Sequence, residues 1–407
     1  MRKTYRLIQV DDYEQYIGTK AVNRIKEKAR YLQGLHVSHV NSTYYGGGVA
    51  EMLSSMSLLM NSVGIKTGWR VIQGSPDFFS ITKKMHNALQ GADINLTDIK
   101  KEIYEETIYE NVIRKNLDHD FVIIHDPQPL PIVNHYKKNG PWIWRCHIDL
   151  SKPNRELWNY LVPHILKYNA MILSVKEYRK KIRVPQFFFM PAINPFSIKN
   201  RKMTEKQIHE RLNHYGIPTD LPLVVQVSRF DRWKDPLGVI KAFKMARKEI
   251  DATLVLLGNL ATDDPEGIEV YQSLLEHQGD RIIISDRGDD TALVNALQTK
   301  ASVVLQKSIR EGFGLTVAEA MWKGTPVIGG DVGGIRYQIK DGENGFLVSS
   351  IKGAAERIVQ LVQDEKFNKQ MGKKARETIK KRFLLTRLLE QYLDLFNSFE
   401  AVYQIKK

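Results

Sequence analysis

A chain of 407 residues with 43% hydrophobic and 26% charged side chains has an ordinary globular composition and the length of about two domains. No apolar run approaches the roughly 18–20 residues of a membrane span, and one cysteine, Cys146, excludes an intramolecular disulfide and a multi-cysteine metal site. Sixty Lys and Arg against 46 Asp and Glu leave a formal charge of +14, spread out with no basic stripe interleaved with aromatics. That pattern fits a solvated surface and small anionic substrates, with no nucleic acid as partner.

The basic start, Met1 to Arg6, leads into no apolar stretch with a cleavage site, so the chain reads as cytoplasmic and without stable membrane insertion. Short apolar runs then alternate with amphipathic stretches, the pattern of a parallel sheet covered by helices. A charged helical lead-in is predicted over 19–33. Strands follow over 35–40, 67–72, 121–124, 142–146 and 170–173, with helices over 49–62 and 155–167. A second series opens with a strand over 187–190, broken by Pro191, Pro195 and a Lys/Arg/Glu-rich segment to about Tyr215. It resumes with strands over 223–227, 253–257, 281–284, 302–305 and 326–328, and helices near 236–248, 291–298 and 315–323. The rest, from Ile351 to Tyr403, reads as helical. This is an α/β chain of two doubly wound domains, 1–200 and 201–383, with a helix over 384–407 packing back on the first. Tandem domains of this kind are expected to share a cleft, since open parallel sheets bind ligands at the carboxyl ends of their strands.

The most informative segment lies at 311–328, where Glu311-Gly312-Phe313-Gly314-Leu315 opens a helix that stops at Gly324 before the next strand. Glycines let backbone N–H groups approach a ligand closely, and a helix N-terminus favours phosphate. Glu319, one turn into that helix, is badly placed for phosphate but suited to accept hydrogen bonds from ribose hydroxyls. Upstream, Arg229 and Lys234 leave a strand in a loop before a helix, where a guanidinium fork and an ammonium can neutralise a departing diphosphate. Gly258 ends the next strand, again where a ligand would approach.

With these residues the second half resembles the donor domain of the retaining nucleotide-sugar glycosyltransferases, the family of sucrose, glycogen and many bacterial transferases. The family pattern of a Glu, seven residues and a second Glu is matched by Glu311 and Glu319, and its Arg and Lys pair by Arg229 and Lys234. Gly333-Gly334 and the segment 341–348 match as well. The resemblance implies a GT-B arrangement of two facing Rossmann-like domains. It places Glu311 beside the donor sugar, Glu319 on the ribose, Arg229 and Lys234 on the diphosphate, and Gly312, Phe313, Gly314, Leu315 and Gly258 around the donor.

In the first half, three motifs fall at strand ends: the glycine-rich loop 41–51, His125-Asp126-Pro127-Gln128-Pro129, and Trp144-Arg145-Cys146-His147-Ile148-Asp149. The loop lacks the full G-x-G-x-x-G fingerprint. His125, Asp126, His147 and Asp149 also allow a metal site, although nothing in their spacing fixes its geometry. Val-Asn-Ser-Thr at 40–43, Gly-Gly-Gly-Val-Ala-Glu at 46–51, His125 to Pro129, the run 144–155 and the run 308–324 together are similar to the trehalose glycosyltransferring synthases. Trehalose phosphorylases share much of the pattern.

That resemblance implies transfer of glucose from a nucleotide-glucose, UDP- or ADP-glucose, to free glucose, giving α,α-1,1-trehalose reversibly. It implies His147 near the donor sugar, and Asp126 with Gly47, Gly48 and Val49 at the acceptor. No cofactor or metal is expected, because Arg229 and Lys234 do the neutralising; nucleotide-glucose, glucose and trehalose are the expected partners, with a homodimer possible. Phosphorolysis, a lipid or polysaccharide acceptor, and a basic membrane- or polymer-binding module without catalysis are the competing readings.

Overall fold

The computed structural model describes residues 7–44, 47–259, 265–279 and 281–404. The chain forms two compact units, Met1–Ala192 with Leu385–Lys407, and Ile193–Leu384. Residues 193–200 therefore belong to the second unit.

In the first unit, β1 (His36–Asn41), β2 (Lys66–Val71), β3 (Phe121–His125), β4 (Trp142–Arg145), β5 (Ala170–Leu173) and β6 (Gln186–Phe188) form one sheet, ordered β2-β1-β3-β4-β5-β6. All pairings are parallel. Apolar runs such as Phe-Val-Ile-Ile in β3 are buried throughout, as a parallel sheet covered on both faces requires. After β2 the chain returns to the opposite side of β1, so the winding reverses between β1 and β3. That crevice, at the carboxyl ends of the strands, is where open sheets take ligands.

The second unit repeats the plan. Its strands β7 (Leu223–Val227), β8 (Thr253–Leu257), β9 (Ile282–Ser285), β10 (Val303–Gln306), β11 (Val327–Gly330) and β12 (Phe346–Val348) are ordered β12-β11-β10-β7-β8-β9. They too pair in parallel, and the winding reverses between β7 and β10. The unit's two ends are pinned together: Ile193 N–H donates to the Phe383 carbonyl at 2.9 Å.

Three features depart from the sequence expectation. The strand expected at 187–190 is Gln186–Phe188, and it completes the first sheet beside β5 rather than opening the second. The charge-rich break before Tyr215 contains a helix, Glu205–His214, started by a reciprocal Thr204–Gln207 capping box and anchored by buried Ile208 and Leu212 one turn apart. The edge strand β12 is too short to show a period.

The C-terminal helix, Leu385–Gln404, lies in the first unit. Leu388, Leu389, Tyr392, Leu393 and Phe396 are buried at helical spacing, and the Phe396 ring stands 4.4 Å from that of Phe121 in β3. Arg24 on the helix Thr19–Arg30 meets Glu390 at 2.5 Å. Among the described residues no helix is long and apolar enough to cross a membrane.

Candidate active site

Both loops that flank the reversal point of the second sheet carry the expected residues. The loop after β7 holds Arg229 and Lys234, and the loop after β10 holds Glu311. The structure joins them: Lys234 Nζ lies 2.6 Å from Glu311 Oε2, with both side chains largely buried. The same carboxylate oxygen accepts from Ser308 Oγ at 3.2 Å and Gln306 Nε2 at 3.3 Å. Gln226 Nε2 in β7 donates to the Lys234 carbonyl at 2.9 Å and pins the first loop to its strand, while Ile309 N–H donates to the Trp233 carbonyl at 2.8 Å and joins the two loops. Arg229 pairs with buried Asp231 at 3.1 Å, and Asp231 caps the turn Arg232–Lys234 through Trp233 N–H at 2.7 Å.

Lys307, which the sequence reading passed over, is buried and ion-paired with Asp235. Asp235 has φ 51° and caps the helix Pro236–Ala246 at Gly238 N–H. A non-glycine residue in the left-handed region is strained, and its cap and ion pair hold it there. The signal in the sequence was the polar run Gln306-Lys307-Ser308 closing an apolar strand.

Gly314, at φ 82°, is the N-cap of the helix Leu315–Lys323 and turns the chain from Glu311 into it. Gly312 and Phe313 are buried, Leu315 half-buried. The turn is backed by Gly334, where a Cβ would stand 2.4 Å from Phe313 Cα and 2.6 Å from the Gly312 carbonyl oxygen. Gln338 Nε2 donates to the Phe313 carbonyl at 2.6 Å from behind. Glu319 is buried, with Lys199 Nζ 3.6 Å from its carboxylate. Residues 199–200 are held to the same helix by Trp322 Nε1 and Lys323 Nζ, both bonded to Asn200. Gly258, just beyond β8, is buried against the Ser228 carbonyl, whose oxygen would lie 2.6 Å from a Cβ there.

In the first unit the expected residues gather at the β1–β3 reversal. Asp126 follows β3 with φ 62°, and its Oδ1 accepts from His147 N–H at 2.7 Å. Burial pushes its carboxyl up to about 7, against the opposing pull of that N–H and of Arg145. Gly47, Gly48 and Val49 open the helix Gly47–Ser62, whose first N–H groups lack intrahelical partners; Tyr45 and Gly46 lie outside the described residues. Asn41 braces the end of β1, accepting from Trp69 Nε1 at 2.7 Å and donating to the Thr43 carbonyl at 2.8 Å. Arg145 is fully buried, its guanidinium on the Phe189 carbonyl at 2.5 Å, and burial lowers its pKa.

His147 is not isolated. Its Nε2 is 3.0 Å from His125 Nδ1, and His125 Nε2 is 3.0 Å from His39 Nδ1. His39 lies in β1, whose sequence His-Val-Ser-His-Val-Asn mixes apolar with polar side chains, and was missed by the sequence reading. Asp149 instead bonds Ser151 N–H at 2.8 Å. Among the described residues no group of three or more His, Cys, Asp or Glu is placed to hold a metal ion.

Two family models match, one in each half: the trehalose synthase N-terminal domain over residues 39–180 and the glycosyl transferases group 1 model over 207–378. A trehalose synthase of Pyrococcus horikoshii is 43% identical over 404 residues, 96% of either chain. A trehalose phosphorylase of Grifola frondosa is 27% identical, with 92% of this chain matched to 59% of that protein. Among solved structures, sucrose-phosphate synthase from Thermosynechococcus elongatus superposes with a TM-score of 0.69 at 17% identity, covering 90% of this chain and all of that one, a likeness of fold. Both matched models and the near full-length relative lead to one conclusion: the chain is a GT-B-fold glycosyltransferase and belongs to the trehalose synthase family.

Proposed function

We propose that the protein moves glucose, with retention, from a nucleotide-glucose such as UDP- or ADP-glucose to free glucose, forming α,α-1,1-trehalose reversibly. The observation that carries this reading is the Lys234–Glu311 contact at the reversal point of the second sheet, beside a glycine turn that opens a helix. Backbone N–H groups at that helix start suit phosphate, and Arg229 with Lys234 supplies the cations a leaving diphosphate needs. Glu311 then lies beside the sugar and Glu319 on the ribose. Asp126, with the N–H groups of Gly47, Gly48 and Val49, holds the acceptor glucose, and His147 meets the donor sugar.

Double-displacement retention needs two carboxylates roughly 5 Å apart about the anomeric carbon. No pair in this site is assigned that role. The step proposed is front-face attack. The acceptor hydroxyl oxygen bonds to the anomeric carbon as the bond from that carbon to the diphosphate oxygen breaks, and the hydroxyl proton passes to the departing phosphate oxygen. Lys234 and Arg229 stabilise the charge that gathers there, so no metal or other cofactor is required. Activity should persist in a chelator, and its strict loss would contradict that statement.

Replacing Arg229 or Lys234 by Ala should lower kcat by about 100-fold or more in protein that still melts cooperatively, at a lower temperature because Asp231 or Glu311 is left buried without that cation. Near-parental turnover in both variants would remove the phosphate-clamp assignment. The phosphorylase reading rests on the Grifola relative and differs in one respect: inorganic phosphate takes the place of the nucleotide diphosphate.

A further inference from the structure

His39, His125 and His147 form a hydrogen-bonded row that crosses three strands. In the parallel register His39 lies beside Ile123, and His125 beside Arg145. Side chains at paired positions share a face and alternate along each strand, so His39 and His125 project from one face of the sheet. The row starts within β1, passes the last residue of β3 and ends beyond β4, at the ligand-binding edge. His39 and His125 are buried; His39 stands edge-on to the Tyr392 ring at 6.2 Å.

A neutral imidazole carries one N–H and one bare nitrogen. Two bonds in series therefore force all three rings to point the same way, making one terminal nitrogen a donor and the other a bare acceptor. Those terminal atoms, His39 Nε2 and His147 Nδ1, are both buried and have no hydrogen-bond partner. Burial is the largest influence lowering the pKa of all three rings, with the neighbouring histidines and Arg145 lowering His125 and His147 further, so the row is neutral near pH 7. Either direction leaves one terminal N–H without a partner, and an orphaned N–H is the costlier of the two orphans. It is better placed on His147, half-buried beyond β4 at the ligand-binding edge, than on His39, fully buried within the sheet. This puts the bare nitrogen on His39 and the N–H on His147 Nδ1.

We propose that His39 and His125 are positioning residues that lock His147 as its Nδ1–H tautomer, presenting a fixed donor to a sugar hydroxyl oxygen at the edge of the first sheet. His39 Nδ1–H donates to His125 Nε2, and His125 Nδ1–H donates to His147 Nε2. The inference rests on the proposed sugar site for its ligand, but the tautomer itself does not depend on which sugar is transferred.

Nitrogen-15 NMR of the full chain labelled at histidine tests the lock without substrate. The expected spectrum has His147 protonated at Nδ1 and bare at Nε2. Protonation at Nε2 would overturn the proposal. His125→Leu should give a mixture of His147 tautomers and lower kcat about tenfold with KM nearly unchanged, as lost outer partners of functional histidines do. His125→Asn, whose amide N–H can stand in for Nδ1–H, should restore both readouts; an unchanged tautomer ratio in His125→Leu would refute the lock. Adding UDP-glucose or glucose should shift the His147 Nδ1 signal, and no shift with either would refute the sugar contact. If trehalose synthesis itself fails while the Nδ1–H tautomer is observed, the function falls and the lock stands.

Discussion

Asp126 and Asp235 are the non-glycine residues with positive φ among the described ones, and each sits in a loop beside the reversal point of its own sheet. Strain of this kind persists only where surrounding bonds over-determine it. For Asp126 those bonds come from His147 N–H and from Trp144 Nε1 on its carbonyl at 2.9 Å. Its carboxyl is raised from the usual 3.8 to about 7 by burial, so the folded state holds the proton more tightly than the unfolded chain. The stability this contributes is present below the unfolded value and is lost as pH rises through about 7. The melting temperature of the parent minus that of Asp126→Asn should therefore fall between pH 4 and about pH 7 and level off above it; a difference that rises or stays flat would contradict the shift. Asp126→Ala should impair use of the acceptor more than hydrolysis of the donor, and equal losses would argue against an acceptor role. The strain and the raised pKa were invisible in the sequence because both depend on chain segments far apart. The residue type was visible, as a polar His-Asp pair closing an apolar run.

The helix Leu315–Lys323 shows what could be read at the scale of an element and what could not. Its start and its stop at Gly324 follow from glycine punctuation around an apolar segment, which needs no tertiary information. Its partners were not legible: Lys199 and Asn200 arrive from the segment before the second sheet, and Gly334 closes on the turn from a distant loop. Gly334→Ala would push a methyl into the backbone at Gly312 and Phe313 and should cost about 1–3 kcal/mol of stability. It should also weaken binding of a nucleoside diphosphate about tenfold, a difference of roughly 1.4 kcal/mol. Calorimetric melting and titration with UDP would check both, and parental values in both would show that the turn tolerates the methyl. The helix Glu205–His214 was missed for the opposite reason. Its polar composition read as a break, while its capping box and the Ile208–Leu212 pair were present in the sequence all along.

At the scale of the whole molecule, the chain leaves the first unit after Ala192 and returns to it at Leu385, so the second unit is an insertion with its ends held together. The fragment 193–384 should accordingly fold on its own and bind UDP, yet transfer no sugar, because the proposed acceptor residues lie in the other unit. Failure of that fragment to melt cooperatively would contradict its autonomy. The doubly wound architecture was legible from alternating apolar and amphipathic segments, since that alternation expresses one physical need, burial of a sheet on both faces. The residues of the proposed site were legible as motifs at strand ends, whereas the His39–His125–His147 row and the Lys307–Asp235 pair required strand order. Incubating the purified protein with several nucleotide-glucoses and glucose, and separately with trehalose and phosphate, separates transfer from a nucleotide donor from phosphorolysis. The first mixture should yield α,α-1,1-trehalose and the second no glucose 1-phosphate; glucose 1-phosphate from trehalose, with no disaccharide from any nucleotide donor, would exclude the nucleotide-glucose reaction.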